Sequence, residues 1–111
     1  DELLWKPDPA DWLSWRRTPD SQGFSPLNEI NRNNVRQMRL MWTRPLNGTS
    51  NESTPLVYKG IMYVPNSGDI IQAYDAKTGA LKWAYDPQVP REKLIDVCCD
   101  AVNRGVALYG G

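Results

Sequence analysis

The stretch from residue 55 to residue 86 constrains the fold of this chain most strongly, because short apolar runs alternate there with tight polar turns. The runs are at residues 56–58, 61–64, 70–74 and 80–85. Each turn between them contains a glycine, which adopts positive φ at no steric cost. Short strands joined by such turns predict a four-stranded antiparallel meander. A meander of this kind is the unit of a β-propeller blade, so we expect an all-β fold.

The third turn carries the most detailed prediction. Asp75 can accept hydrogen bonds from the turn backbone, Thr78 can add another, and Gly79 tolerates positive φ. Trp83 follows on the fourth run, and Trp42 lies 41 residues earlier in a second Leu-x-Trp sequence. Propeller blades repeat every ~40–45 residues, so this spacing supports a propeller. We expect the third turn and Trp83 to be architectural, with Trp83 docking against the next blade.

The flanking segments give weaker patterns. Asn31 is predicted to cap a short helical turn at residues 32–38, with Ile30 and Val35 facing inward. Residues 39–44 are predicted to form a strand.

Both ends of the sequence suggest a piece of a longer protein. Asp1 is not an initiator methionine, and residues 1–9 are too polar and proline-rich for a signal peptide. Residues 106–109 look like a strand without closing structure. We therefore interpret residues 1–111 as a fragment of one domain with no internal boundary, in which the clearest blade spans about residues 55–86.

The composition excludes several kinds of chemistry. The chain has no histidine and two cysteines, so a Ser-His-Asp triad and a zinc site with histidine or four thiolate ligands are impossible within it. Thirteen basic residues balance thirteen acidic ones, which gives no electrostatic reason to expect nucleic acid or an anionic membrane as a partner. No apolar run approaches the ~20 residues of a transmembrane helix.

The adjacent cysteines Cys98 and Cys99 are the sharpest chemical signal. Neighbouring Cα atoms lie ~3.8 Å apart, less than the ~4.4–6.8 Å of an ordinary disulfide, so a bond between them would close a strained ring. Such strain persists at functional sites. The alternative is a pair of reduced cysteines, and Glu52 and Arg104, taken alone, are ordinary surface charges.

Three segments together resemble one family. The sequence Cys-Cys-Asp-Ala-Val-Asn-Arg-Gly at residues 98–105 is similar to the segment that carries a vicinal disulfide in quinoprotein methanol and ethanol dehydrogenases. Residues 73–83 resemble the tryptophan-docking motif of quinoprotein propellers, and residues 52–57 resemble the family segment Glu-x-x-Pro-Leu-Val. Asn51 departs from the pattern, because Gln or His is common at that position.

This resemblance implies that the chain is the N-terminal part of an eight-bladed propeller around pyrroloquinoline quinone (PQQ). It further implies four cofactor-binding residues: Glu52, Cys98, Cys99 and Arg104. The disulfide between the cysteines would cover one face of PQQ. Because the family's catalytic and metal-binding residues lie beyond residue 111, no catalytic residue and no metal ligand is assigned here, and the fragment alone is predicted to be inactive.

The function implied is a periplasmic dehydrogenase that oxidises a small alcohol to a carbonyl. PQQ, with a calcium or lanthanide ion, would accept the electrons and pass them to a c-type cytochrome. Two alternatives remain: another PQQ-dependent dehydrogenase that acts on sugars or polyols, and a non-catalytic propeller scaffold. Cys98 and Cys99 favour the alcohol enzymes, because the PQQ enzymes for glucose generally lack adjacent cysteines and scaffolds resemble the chain in the blade motif alone.

Overall fold

The computed structural model describes residues 2–46, 48, 50–94 and 101–109. Its centre is one antiparallel sheet of four strands in the order β1-β2-β3-β4. The strands are β1 (Leu56–Tyr58), β2 (Ile61–Pro65), β3 (Ile71–Asp75) and β4 (Leu81–Tyr85). Two one-turn helices flank them, α1 (Glu2–Trp5) and α2 (Arg91–Leu94), with 3₁₀ helices at Val35–Gln37 and Ser67–Asp69. The predicted meander is confirmed with strand bounds that agree to within one residue.

The turns adopt the conformations that their residues favour. Lys59 and Gly60 both have positive φ, at 49° and 75°, which is the pattern of the two-residue turn that suits a twisted hairpin. In the β3–β4 turn, Asp75 Oδ1 accepts hydrogen bonds from the Thr78 backbone N–H and hydroxyl, both at 2.9 Å. The predicted role of Asp75 as the acceptor that organises this turn is confirmed.

Trp42 packs on the β3–β4 turn. Its indole Nε1 donates a 3.1 Å hydrogen bond to the Ala76 carbonyl, and its ring stacks on Tyr74 with centroids 6.2 Å apart. A Cβ atom at Gly79 would lie 2.5 Å from Trp42 Cδ2, so only glycine lets the indole approach this closely. Arg44 Nε extends the contact with a 2.9 Å hydrogen bond to the Gly79 carbonyl.

The buried core is small and draws on both faces of the sheet and on an N-terminal arm (residues 6–27). Its apolar members are Leu13, Leu56, Val64, Ala73 and Tyr74. The arm joins the free edge of β1, where Trp12 and Val57 exchange two backbone hydrogen bonds of 2.8 and 2.9 Å. The buried Asp11 carboxylate adds a bond from the Lys59 N–H, so the arm also fixes the β1–β2 turn.

Four predictions outside the meander are wrong for the described residues. Residues 39–44 and 106–109 form no strand there, because strand backbone needs a neighbouring strand to pair with and none lies beside them. The helical turn near Asn31 shrinks to Val35–Gln37, since the Asn31 and Asn34 side chains bond to nearby backbone N–H groups instead. Ile30 and Val35 are exposed rather than turned inward.

Candidate functional site

The candidate site lies at the end of the blade where β2 passes into β3. We call residues 65–70, which begin with the last residue of β2, the β2–β3 connection. In an antiparallel meander this connection is at the opposite end from the β1–β2 and β3–β4 turns. Two loops that are far apart in the sequence meet there. We call residues 51–53 the glutamate loop and residues 101–105 the arginine loop.

The glutamate loop is fastened to the last residue of β2. Asn51 Nδ2 and Ser53 Oγ donate hydrogen bonds of 3.0 and 2.8 Å to the Pro65 carbonyl. Asn51 Oδ1 also accepts from the Ser53 N–H at 3.1 Å, which closes a small turn around Glu52. The departure at Asn51 therefore has a structural role, because its amide both anchors and shapes this loop.

The arginine loop is fastened to the Ser67–Asp69 turn. The Ala101 carbonyl accepts from Ser67 Oγ at 2.7 Å and from the Gly68 N–H at 3.0 Å. Further along the loop, Asn103 Nδ2 donates a 3.1 Å hydrogen bond to Asp69 Oδ1. Sequence reasoning missed these anchors, and the only available signal was the polar Asn-Ser-Gly-Asp turn at residues 66–69.

Arg104 and Glu52, two of the predicted cofactor-binding residues, form an ion pair. Arg104 Nη1 lies 2.9 Å from Glu52 Oε2, and the two side chains are 66% and 48% exposed. A pair this exposed contributes less than about 1 kcal/mol to folding. The ion pair matters more for what it leaves accessible. The Glu52 carboxylate holds the Arg104 guanidinium in place, and the guanidinium still presents N–H donors to solvent.

Cys98 and Cys99, the other two predicted cofactor-binding residues, lie outside the described residues. Their disulfide and their contact with a cofactor stay predictions. The described residues include no cluster of three or more Cys, Asp or Glu side chains that could hold a metal ion. None of the helices in the described ranges is long and apolar enough to cross a membrane.

A separate apolar groove lies between the N-terminal arm and β1. Trp12, Trp15, Leu27 and Pro55 are among the apolar residues that line it. Its ionisable group is Asp11, whose carboxylate already accepts the Lys59 N–H. Neither Glu52 nor Arg104 lines this groove, so its chemistry is not that of the predicted site.

Within the part of the chain that the structure describes, two side chains have shifted pKa values, and both belong to turns at the other end of the blade. The Thr78 backbone N–H and then its hydroxyl lower the pKa of Asp75, with a smaller contribution from the nearby Lys82 ammonium. Side-chain hydrogen bonding with Tyr58 raises the pKa of Lys59. These shifts reflect turn architecture rather than a reactive group.

The fold and this site are those of a β-propeller blade that presents a charged pair at one end. The chain matches a family model over residues 12–111, described as the PQQ glucose/ethanol/alcohol dehydrogenase β-propeller domain. It is 44% identical over 94% of its length to the quinohemoprotein alcohol dehydrogenase ADH-IIG of Pseudomonas putida, of which it covers 15%. The chain therefore belongs to the PQQ-dependent dehydrogenase β-propeller family.

Other comparisons agree. The solved structure of ADH-IIG superposes with a TM-score of 0.85 at 41% identity, covering 96% of this chain and 16% of that one. A europium-containing methanol dehydrogenase gives 0.86 at 32% identity, over 100% of this chain and 20% of the other. The 1-butanol dehydrogenase (cytochrome c) of Thauera butanivorans is 43% identical over 79% of this chain and 13% of its own length. The chain thus spans a fifth or less of these relatives.

Proposed function

We propose that this chain forms part of a dehydrogenase that oxidises a small alcohol to a carbonyl, and that its share of the work is to bind PQQ. The observation that carries the proposal is the ion pair between Arg104 and Glu52, from two loops 52 residues apart, in a chain of the PQQ family. The relatives support the substrate class, since their names specify alcohol, methanol and 1-butanol.

The residues fit the cofactor chemically. PQQ is a flat tricarboxylate with an ortho-quinone, and a guanidinium binds carboxylate or carbonyl oxygens through paired N–H donors. Arg104 would hold one of these oxygens while Glu52 fixes the guanidinium from the other side. When bound, PQQ accepts the two electrons that the alcohol loses as it becomes a carbonyl.

We further propose that Cys98 and Cys99 form a vicinal disulfide against one face of PQQ. A bond of this kind needs an oxidising compartment, which supports a periplasmic location. Alkylation of the unreduced, denatured protein tests it: both thiols should resist the reagent until a reductant is added, whereas immediate double alkylation would contradict the disulfide.

The remaining proposals concern the whole protein. An eight-bladed ring, a calcium or lanthanide ion and a c-type cytochrome as electron acceptor complete the enzyme that we propose. The europium of one structural relative and the cytochrome c in the name of one sequence relative support the last two. No residue of this chain is proposed as a metal ligand or as the base that takes the alcohol proton.

The test is PQQ titration of the full-length apoprotein, followed by alcohol-dependent dye reduction. Arg104→Ala should weaken PQQ binding by about 30-fold or more, because loss of a desolvated charged contact costs ~2–5 kcal/mol. Arg36→Ala is the matched control, since it removes a guanidinium from the 3₁₀ helix Val35–Gln37 instead of from the arginine loop. Equal PQQ affinity in both variants would remove Arg104 from the pocket. Oxidation of glucose but not of alcohols would favour the sugar enzymes instead.

A further inference from the structure

Both members of the ion pair are held by the same short stretch of backbone. The glutamate loop is bonded to Pro65, at the start of the β2–β3 connection, and the arginine loop is bonded to Ser67, Gly68 and Asp69 within it. The chain also passes very close to this turn at Gly48, where an added Cβ would collide with the Ser67 Cβ. The connection is therefore a common support for two otherwise unrelated loops.

Within this support, Asp69 bonds to Asn103, the residue that precedes Arg104 in the sequence. The Asn103 side chain uses both ends of its amide there: Nδ2 donates to Asp69 Oδ1 at 3.1 Å, and Oδ1 accepts from the Gly105 N–H at 2.9 Å. Because a carboxylate can only accept and a backbone N–H can only donate, both contacts require the same amide orientation. The Asn103 side chain thus links Asp69 to the residue on the far side of Arg104.

The backbone of Asp69 is unusual for its position. Its φ is 60°, directly after Gly68 at 75°, so two consecutive residues are left-handed. Non-glycine residues rarely adopt this region, although Asp and Asn do so more often than most. An aspartate here satisfies two needs at once, because it tolerates the turn and supplies the acceptor for Asn103.

We propose that Asp69 is a positioning residue for the cofactor-binding pair: by accepting from Asn103, it fixes the arginine loop so that the Arg104 guanidinium meets Glu52 and PQQ. This inference rests on the proposed function, since it assigns Asp69 a role in PQQ binding through Arg104. Asp69 itself touches neither the guanidinium nor, in this proposal, the cofactor.

The experiment is PQQ titration of full-length apoprotein variants, with thermal unfolding of each variant measured in parallel. Asp69→Ala should weaken PQQ binding about three- to tenfold, the effect of losing one hydrogen bond. Asp69→Asn keeps an acceptor oxygen and should lose less. Asp20→Ala is the matched control, because Asp20 Oδ1 also accepts one exposed side-chain hydrogen bond, from Thr18 at 2.6 Å, but in the N-terminal arm. It should leave both affinity and unfolding temperature unchanged.

A reciprocal exchange separates positioning from general stability. Asn103→Asp alone opposes two carboxylates and should weaken PQQ binding at least as much as Asp69→Ala. The double variant D69N/N103D restores one donor facing one acceptor and keeps the acceptor for the Gly105 N–H, so affinity should return toward wild type. Two results would overturn the role of Asp69, provided that Arg104→Ala still weakens PQQ binding. One is failure of this rescue, and the other is a PQQ affinity of Asp69→Ala that equals that of Asp20→Ala. An unchanged Arg104→Ala affinity would instead overturn the proposed function and this inference together.

Discussion

The two ends of the blade use similar turns in different ways. At one end, the Asp75–Gly79 turn receives Trp42 by ring stacking and close packing against a glycine. At the other end, the glutamate loop bonds to Pro65 and the arginine loop bonds to the Ser67–Asp69 turn, and the charges of Glu52 and Arg104 stay exposed. At the first end the turn is covered by a residue of the same chain, so this end is architectural. At the second end the N–H donors of Arg104 stay accessible, as a ligand site requires.

The sheet faces extend this contrast. Tyr63, Ala73 and Trp83 are lateral neighbours on adjacent strands, and the Tyr63 and Trp83 rings lie 6.1 Å apart across the small Ala73. Trp42 stacks on Tyr74, which faces the opposite side of the sheet from Ala73. Trp83 remains 46% exposed on β4, whose five residues are all exposed. Tyr74 is therefore already docked by a tryptophan, whereas Trp83 and β4 remain exposed and available for the same kind of contact.

The largest effect is expected from isolating residues 1–111. Both ends of the blade would be present, but the open face of β4 and exposed residues such as Leu40 (83% exposed) would lack covering structure. Propeller and repeat folds need neighbouring units to bury such faces. We expect poor amide-exchange protection and no alcohol-dependent dye reduction, even with PQQ and metal added. A cooperatively unfolding, active monomer would contradict this.

The next effect is expected at the packed end. Trp42→Ala in the full-length protein should lower the free energy of unfolding by about 2–4 kcal/mol, because it removes a half-buried ring and the bond to Ala76. Trp5→Ala, at an exposed helix residue, is the control and should change it by less than ~0.5 kcal/mol. Chemical denaturation measures both. Equal stability of the two variants would show that the packed end is not architectural.

A smaller effect is expected at the charged end, where a substitution should change PQQ affinity rather than the free energy of unfolding. Glu52→Gln keeps the shape of the side chain but removes the charge that faces Arg104, so PQQ affinity should fall by roughly two- to tenfold. Its free energy of unfolding should change by less than ~1 kcal/mol, since the pair is exposed. PQQ titration and denaturation of the same preparation check both values. A lower free energy of unfolding for Glu52→Gln with unchanged PQQ affinity would show that the charged end is architectural and does not bind the cofactor.

The sequence predicted the parts of this comparison that depend on local chemistry. The meander followed from turn residues at Lys59–Gly60 and Asp75–Gly79, which determine their own conformations. The assignment of Glu52 and Arg104 to one cofactor site followed from a family resemblance, because nothing in either segment alone points to the other. Family membership and the propeller fold were predicted in the same way and are confirmed.

The parts that the sequence did not predict depend on contacts between residues that are far apart in it. Residues 39–44 have an extended, apolar pattern, yet a strand also needs a partner, and in the described structure this segment meets a turn through Trp42 and Arg44 instead. Asp69 and Asn103 are 34 residues apart in two polar loops, and no spacing or periodicity links them. Their contact becomes visible only when the β2–β3 connection is seen to support both loops.

The smallest effect is expected from the titration of Asp75. The Thr78 backbone N–H and hydroxyl bind the ionised carboxylate, so its pKa in the folded protein lies below the ordinary value of 3.8. A group with a lowered folded pKa stabilises the native state above its unfolded pKa, and this contribution is lost as pH falls through the folded value. Asp75→Asn should therefore be less stable than wild type near neutral pH.

The difference between wild type and Asp75→Asn should shrink as the pH is lowered below 3.8, because protonation then removes the charge that the variant lacks at every pH. Thermal unfolding midpoints of both proteins across that range provide the measurement. Asp86→Asn is the control, since Asp86 Oδ1 likewise accepts a backbone N–H, that of Gln88 at 2.8 Å, in a segment that does not carry Trp42. If the difference in unfolding midpoint between wild type and Asp75→Asn stays constant down to the lowest pH, the amide destabilises the turn through its shape and not through the missing charge. The turn under Trp42 would then be held by geometry alone, without help from the carboxylate charge.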